Sequence, residues 1–250
     1  MRALWVLIFS CSTLCAAQRD VQIGVEKYAA ALRVQEPSKK SALLNEALEI
    51  FLSNEGDKPS GQLLYDIGNT YFHLGDIGLA IAYYRRSQVL LPRSPRVSRN
   101  LIVALQEAEV EGNQIYRPVA DFLGVRWCSP FERGLVALGL ILMTIIFFSF
   151  HLWLPGYGFR WIWRGTALLA LLFITAITFY DLFMFPRAVV IKESSLKGSM
   201  ESRGEPISLL SSGEMVHVIS YSSDNQWVGI RTSVDVQGFL PASRVVIVDQ

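Results

Sequence analysis

Four polar side chains, Asn69, Arg96, Arg99 and Asn100, have the types needed to grip a carboxylate. A guanidinium holds a carboxylate through two parallel hydrogen bonds, and amide groups can add further donors. His73 follows Asn69 by one helical turn and would share its face. These groups converge only if helices set residues 69–73 and 96–100 side by side. Bond-making chemistry has less to work with. His73, His151 and His217 are far apart in the chain, with no metal-ligand spacing and no nucleophile, base and orienting group in register. A glycine-rich phosphate loop is missing too. The expectation is a binding protein, not an enzyme, with no cofactor and no metal. A plainer reading of the same side chains is that Asn69 bonds neighbouring backbone and that Arg96 and Arg99 are solvated near the acidic run Glu107, Glu109 and Glu111.

Two stacked helical hairpins would bring these segments together. Between residues 61 and 94, Leu64, Ile67, Gly68 and Tyr71 are followed by Ala80 and Tyr84 and then by Pro92. Gly68 and Ala80 let antiparallel helices approach closely, Leu64, Ile67, Tyr71 and Tyr84 fill the seam, and Pro92 ends the second helix. Gly75-Asp76 supplies the turn. This spacing resembles a tetratricopeptide repeat, with Ser87 as a departure where that family usually has Ala. One repeat cannot bury its own faces, so neighbours are required. Val25 to Leu32 and Ala42 to Leu52 carry helical periodicity upstream. Downstream, Ser94 is a natural N-cap and Pro95 a natural first helical residue, followed by Leu101, Ile102, Ala104, Leu105 and Ala108, with Gly112 as the stop.

About five helices over residues 18–125 are expected, forming an all-α tetratricopeptide-repeat solenoid with a concave face. The resemblance implies that Gln62, Tyr65, Asn69, Phe72 and His73 line that face, joined by Arg96, Arg99 and Asn100 from the next unit. Asn69 and Asn100, 31 residues apart, match the two asparagines of the carboxylate-clamp subfamily. Tyr65 stands where that clamp has its first lysine, and no third repeat is present to supply its remaining basic residues. The implied ligand is an acidic or C-terminal carboxylate group of a protein partner.

Three apolar stretches raise the apolar share to 51% and leave 18% charged. Residues 1–17 carry Arg2, an apolar run and Cys15-Ala16-Ala17 before polar sequence, which is a signal-peptide pattern. Lipidation fits poorly, because Leu14 precedes Cys15 and the run before Cys11 is too short. Gly134 to Leu154 and Gly165 to Phe185 are each long enough to cross a bilayer as a helix. The intervening turn, 155–164, holds Pro155, Gly156, Gly158, Arg160 and Arg164, and Trp153, Trp161 and Trp163 cluster there as interfacial anchors. Flanking charges do not decide the orientation. The signal peptide does: it places residues 18–125 and 187–250 on the outer, periplasmic face of a bacterial inner membrane. His151 and Asp181 sit in the spans near opposite faces and read as residues reaching headgroups and water. Cys128, left alone once residues 1–17 are removed, reads as packing. The net charge of +1 offers nucleic acid no attractive field.

After Pro186 short apolar runs alternate with turn residues at Ala188 to Ile191, Met215 to Ser220, Trp227 to Arg231, Gly238 to Leu240 and Val245 to Val248. Their order over residues 187–250 resembles an all-β, SH3-like barrel of bacterial type. Leu196-Lys197-Gly198-Ser199 replaces the Arg-x-Gly-Pro of that family's first loop, which weakens any implied ligand site, and Trp227 reads as core. Some members of that superfamily bind cell-wall peptides and others pack against a neighbour, so peptidoglycan is the alternative partner. The whole order, signal peptide, repeats, two membrane helices and SH3-like domain, resembles the BatE-type proteins of bacterial aerotolerance operons. That resemblance implies a multi-domain membrane scaffold in stress tolerance, acting with von Willebrand-type membrane proteins and a MoxR-type ATPase.

Overall fold

The structure is a computed structural model describing residues 19–56, 58–110, 128–153, 157–183, 186–199 and 206–248, with backbone alone at 157, 159 and 179–183. The signal segment and Gly112 lie outside these residues. The chain divides into two compact units, one built from residues up to 114 together with those from 186 onward, the other from residues 115–185.

In the first unit five helices follow one another: α1 (19–33), α2 (Pro37–Ser53), α3 (Gly61–Leu74), α4 (Ile77–Leu90) and α5 (Pro95–Glu107). Their ends obey local rules. The Ser60 hydroxyl caps α3 by accepting from the Leu63 N–H at 3.1 Å, and Pro37 and Pro95 open α2 and α5. Gly75 closes α3 at φ +88°, a conformation that glycine adopts without steric penalty. Between α2, α3 and α4 lies a core of Ala47, Phe51, Leu63, Leu64, Ile67 and Tyr83. The close approach of α3 and α4 is set by Gly68, where an added Cβ would stand 2.7 Å from Cδ1 of Tyr84. Ser87 is buried, and its hydroxyl donates to the Gly61 carbonyl at 2.7 Å, so a polar atom in this seam is satisfied.

The same unit contains a seven-stranded antiparallel sheet: β1 (Arg187–Val190), β2 (Ser194–Lys197), β3 (Pro206–Leu210), β4 (Met215–Tyr221), β5 (Trp227–Arg231), β6 (Gln237–Pro241) and β7 (Val245–Ile247). The strand order is β3-β2-β6-β5-β4-β1-β7. Five of these were expected; β2 and β3 were not. Ala188, Val190, Leu196, Leu210, Val216, Val218, Val228, Ile230 and Leu240 form the core of one sheet face.

Helices and sheet are not separate bodies. Val189 of β1 points away from the sheet core and joins Val248, Ala80, Ile81, Ala82 and Tyr84 of α4, and Leu101, Ala104 and Leu105 of α5 in one cluster. A Cβ on Gly78 would fall 2.2 Å from the Ile191 carbonyl oxygen and 2.3 Å from the Ser212 hydroxyl, and one on Gly213 2.4 Å from Cδ1 of Ile81. The expected picture of two modules therefore becomes one two-layer head. The physical cause is visible in the residues. The stretch Ile77 to Tyr84 is apolar or small on every side, as a helix covered on all faces must be. Ala188 to Ile191 and Val245 to Val248 are unbroken apolar runs, the pattern of strands buried on both faces.

The second unit is a pair of helices, α6 (Pro130–Trp153) and α7 (Tyr157–Phe183). Ser129 and Glu132 start α6 as a reciprocal capping box: the Ser129 N–H donates to the Glu132 carboxylate at 2.8 Å, and the Ser129 hydroxyl accepts from the Glu132 N–H at 3.3 Å. Helix α7 starts earlier than the expected Gly165, so Arg160, Trp161, Trp163 and Arg164 belong to it and not to a turn. Both helices contain segments long and apolar enough to cross a membrane, Pro130–Trp153 at mean hydropathy 2.4 and Arg160–Thr178 at 1.6. No residue of the first segment is fully buried within the protein, and Leu135, Leu138, Ile141, Leu142, Ile145 and Ile146 are exposed. His151 stacks on Trp163 with centroids 6.4 Å apart. The side chain of Asp181 lies outside the described atoms. Cys128, just before α6, is a half-buried free thiol.

Candidate functional site

Helices α1, α3 and α5 contribute one polar and aromatic surface. Its centre is a hydrogen-bonded knot. Oδ1 of Asn69 accepts from the Tyr84 hydroxyl at 2.8 Å and from Nδ2 of Asn100 at 2.8 Å, and the same Asn100 nitrogen donates to the Tyr65 hydroxyl at 3.0 Å. Asn69 is 8% exposed, so these bonds are made largely out of water, where each unsatisfied group would be costly. The Tyr65 and Tyr84 rings are tilted against each other at 6.0 Å. Burial raises the Tyr84 hydroxyl's pKa, so it stays a neutral donor through the physiological range.

On one side of the knot lies Asp66. Both of its oxygens accept from Nε2 of Gln62, at 3.0 and 3.2 Å, and it forms no ion pair among the described residues. Burial raises its pKa, and the Gln62 hydrogen bond offsets part of that rise. Tyr28 of α1 faces the same region. Burial first, then Tyr65 and Asp66, push its hydroxyl up to about 12. On the other side His73 packs its ring 5.9 Å from Tyr28 and 5.9 Å from Phe72. Burial and then the Lys40 ammonium hold the His73 imidazole below its ordinary pKa.

The residues singled out in the sequence are thus partly brought together. Asn69 and Asn100 meet directly, and His73 belongs to the same surface. Arg96 and Arg99 stand exposed on the first turns of α5, and neither forms an ion pair among the described residues. The seam residues Leu64, Ile67, Gly68, Ala80 and Tyr84 are buried as expected, Tyr71 is half-buried and stacks on Tyr83 at 5.4 Å, and Pro92 follows the end of α4. Sequence reasoning missed Asp66 and Tyr28. The signal for Asp66 was present, because it is the sixth residue counted from Gly61 as Asn100 is counted from Pro95.

In the sheet, Trp227 is half-buried and Nζ of Lys197 lies 5.5 Å from its ring centroid, a cation–π contact on one face of the indole. Among the described residues, no group of three or more His, Cys, Asp or Glu side chains could hold a metal ion. The arrangement is suited to recognition by hydrogen bonds, aromatic faces and one carboxylate. The chain matches no protein-family model and no curated protein.

Proposed function

We propose that the chain is a membrane-anchored envelope scaffold that docks a protein partner on the surface formed by Tyr28, Tyr65, Asp66, Asn69, His73 and Asn100. The observation that carries this reading is a half-open polar surface held rigid by its own buried hydrogen bonds, the preorganisation that binding sites need. In this reading the five helices are a tetratricopeptide-type solenoid and the sheet is its SH3-like companion. The sheet packs on α4 and α5 and so seals the end of a helical stack that would otherwise need a capping repeat. A wall-binding role would present the Trp227 ring, one face of which Lys197 already occupies.

The pair of apolar helices supports anchorage in a bilayer. The core shared by helices and sheet supports placing the segments before and after the hairpin on one side of it, as two crossings require. By the signal-peptide pattern of residues 1–17 the side is periplasmic, and by the resemblance to BatE-type proteins the membrane is the bacterial inner membrane and the partner is a von Willebrand-type membrane protein working with a MoxR-type ATPase.

Photo-crosslinking tests the proposal. A crosslinking amino acid is placed at His73 on this surface or at Glu49, exposed on α2, in the full chain in native membranes. The expected result is one discrete adduct from position 73, containing a von Willebrand-type protein, and none from position 49. Identical adduct patterns from both positions would overturn docking on this surface.

A further inference from the structure

The chemistry of this surface differs from that of a carboxylate clamp. Asn69 and Asn100 would be the donors of such a clamp, yet the Asn100 amide already serves Asn69 and Tyr65, and Asn69 is buried in the same knot. A carboxylate arriving there would also meet Asp66, which stands one helical turn before Asn69 on the same face of α3. Like charges drawn together on a partly desolvated surface repel.

Asp66 itself is an incomplete pairing. A carboxylate has two oxygens and about four acceptor sites. Here it receives one neutral amide nitrogen, that of Gln62, and has no cationic partner among the described residues. Partial burial without a counter-charge disfavours the ionised group, and an arriving cation would offset that cost. The neighbours suit a cation as well. Tyr28 and Tyr65 are half-buried beside it, and aromatic faces attract ammonium and guanidinium groups. Tyr65 is held in place by Asn100, so the ring is preorganised. The basic groups of this surface lie elsewhere: Lys40 acts on His73, two turns along α3 from Asp66, while Arg96 and Arg99 are solvent-exposed on α5, where screening is strong.

We propose that this surface takes a lysine or arginine side chain of the docked partner, with its charge on Asp66 and its stem against Tyr28 and Tyr65. This rests on the docking reading above and specifies its ligand as a cationic peptide segment. In the place where a lysine of a carboxylate clamp would reach for an anion, Tyr65 offers a ring, and the carboxylate beside it fixes the sign of the ligand.

The test uses the full chain in phosphatidylcholine nanodiscs, a neutral bilayer that does not itself collect basic peptides. The probes are acetylated, amidated nonapeptide pools of random sequence with a central Lys, norleucine or Glu, and a fourth pool with a free C-terminal carboxylate. Retention of the Lys pool should exceed that of the norleucine pool by about fivefold or more, and Asp66→Asn should abolish the difference. Tyr65→Ala should weaken retention of the Lys pool in its own right. Preference for the Glu or free-carboxylate pool, or a Lys preference that survives Asp66→Asn, would overturn cation recognition and leave docking on this surface standing. Retention of no pool would remove the docking reading along with it. Far-ultraviolet dichroism and melting of each variant confirm that the head is folded, and Asp66→Glu, which keeps the charge, should restore most of the Lys preference.

Discussion

Gly78→Ala is the sharpest probe of the shared core, because one methyl group tests whether α4 and the sheet really touch. The new carbon would stand 2.2 Å from the Ile191 carbonyl oxygen, 2.7 Å from its carbon and 2.3 Å from Oγ of Ser212. Neither obstacle can turn aside cheaply. The Ser212 hydroxyl donates to that same Ile191 oxygen at 3.0 Å, and the Ile191 N–H donates to the Arg244 carbonyl at 2.9 Å, so the residue is held through both its carbonyl and its N–H. Helix α4 must then move off the sheet by roughly an ångström, loosening Ala80 and Ile81 from Val189 and Val248. Overpacking of this kind costs about 1 to 3 kcal/mol. In a head of this size each kcal/mol lowers the melting temperature by about 2 to 4 °C. The assay is thermal unfolding of the full chain in detergent, followed by amide exchange resolved to segments. Gly78→Ala should melt about 2 to 12 °C lower, with exchange rising together in α4, β1 and β7. Gly139→Ala, where no atom lies within 4 Å of the added carbon, should match the parent. An unchanged midpoint for Gly78→Ala, or helices that open while β1 stays protected, would refute the single head.

Other expectations follow from the same contacts. Gly68→Leu should destabilise the helical layer by at least as much as Gly78→Ala, since its first added carbon would already lie 2.7 Å from the Tyr84 ring; calorimetry of the full chain reads this, and an unchanged midpoint would remove the close seam. Asp66→Asn should melt at an equal or higher temperature at neutral pH, because it removes an ionised group that burial disfavours. The sign of the pH dependence is fixed. Folding raises the Asp66 pKa above its ordinary 3.8, so the stabilisation from this group is complete below that value and is lost as pH rises through the folded pKa. The advantage of Asp66→Asn over the parent should therefore grow across the acid range and then level off, with Tyr28, Tyr65 and Gln62 as the groups facing Asp66 and Lys40, His73, Arg96 and Arg99 farther out. A parent more stable than Asp66→Asn at neutral pH would show that the carboxylate is a structural group.

Much of this architecture could be read from residues whose chemistry is local. Gly68 and Ala80 announced a close helix pair because small residues let two helices approach, and Pro95 announced a helix start, although the Ser94 hydroxyl at the N-cap position makes no capping bond. Strands β2 and β3 escaped notice for an equally local reason. Ser194 to Lys197 buries only Leu196 fully, and Pro206 to Leu210 leaves Ile207 and Leu209 exposed, so neither shows the alternation that marks a half-buried strand. The early start of α7 was hidden by Gly156-Tyr157-Gly158, which reads as a turn although Tyr157 and Gly158 are already helical. Contact between helices and sheet joins residues more than a hundred positions apart. No period in one segment reports it, only the excess of apolar residues in each.

Asp66 belongs to a different kind of omission. Local rules describe what a residue does for its own helix, and by those rules an aspartate bonded to Gln62 one turn earlier is an ordinary surface pair. Its meaning comes from what surrounds it: Tyr28 from α1, Tyr65 beside it, and the buried Asn69, Tyr84 and Asn100 knot that holds the surface still. A fold under selection for stability alone has little reason to keep an uncompensated carboxylate there, since an amide would make comparable hydrogen bonds without the charge. A group that costs stability and sits on a rigid, half-open surface is where function is expected to override local consistency. The same reasoning separates Asp66 from Ser87. Ser87 departs from the residue type usual in the repeat pattern, but its hydroxyl donates to the Gly61 carbonyl and is buried, out of a ligand's reach. Of the two, Asp66 retains unused acceptor capacity beside half-buried aromatic rings, and that difference places Ser87 in the packing and makes Asp66 the recognition group of the proposed docking.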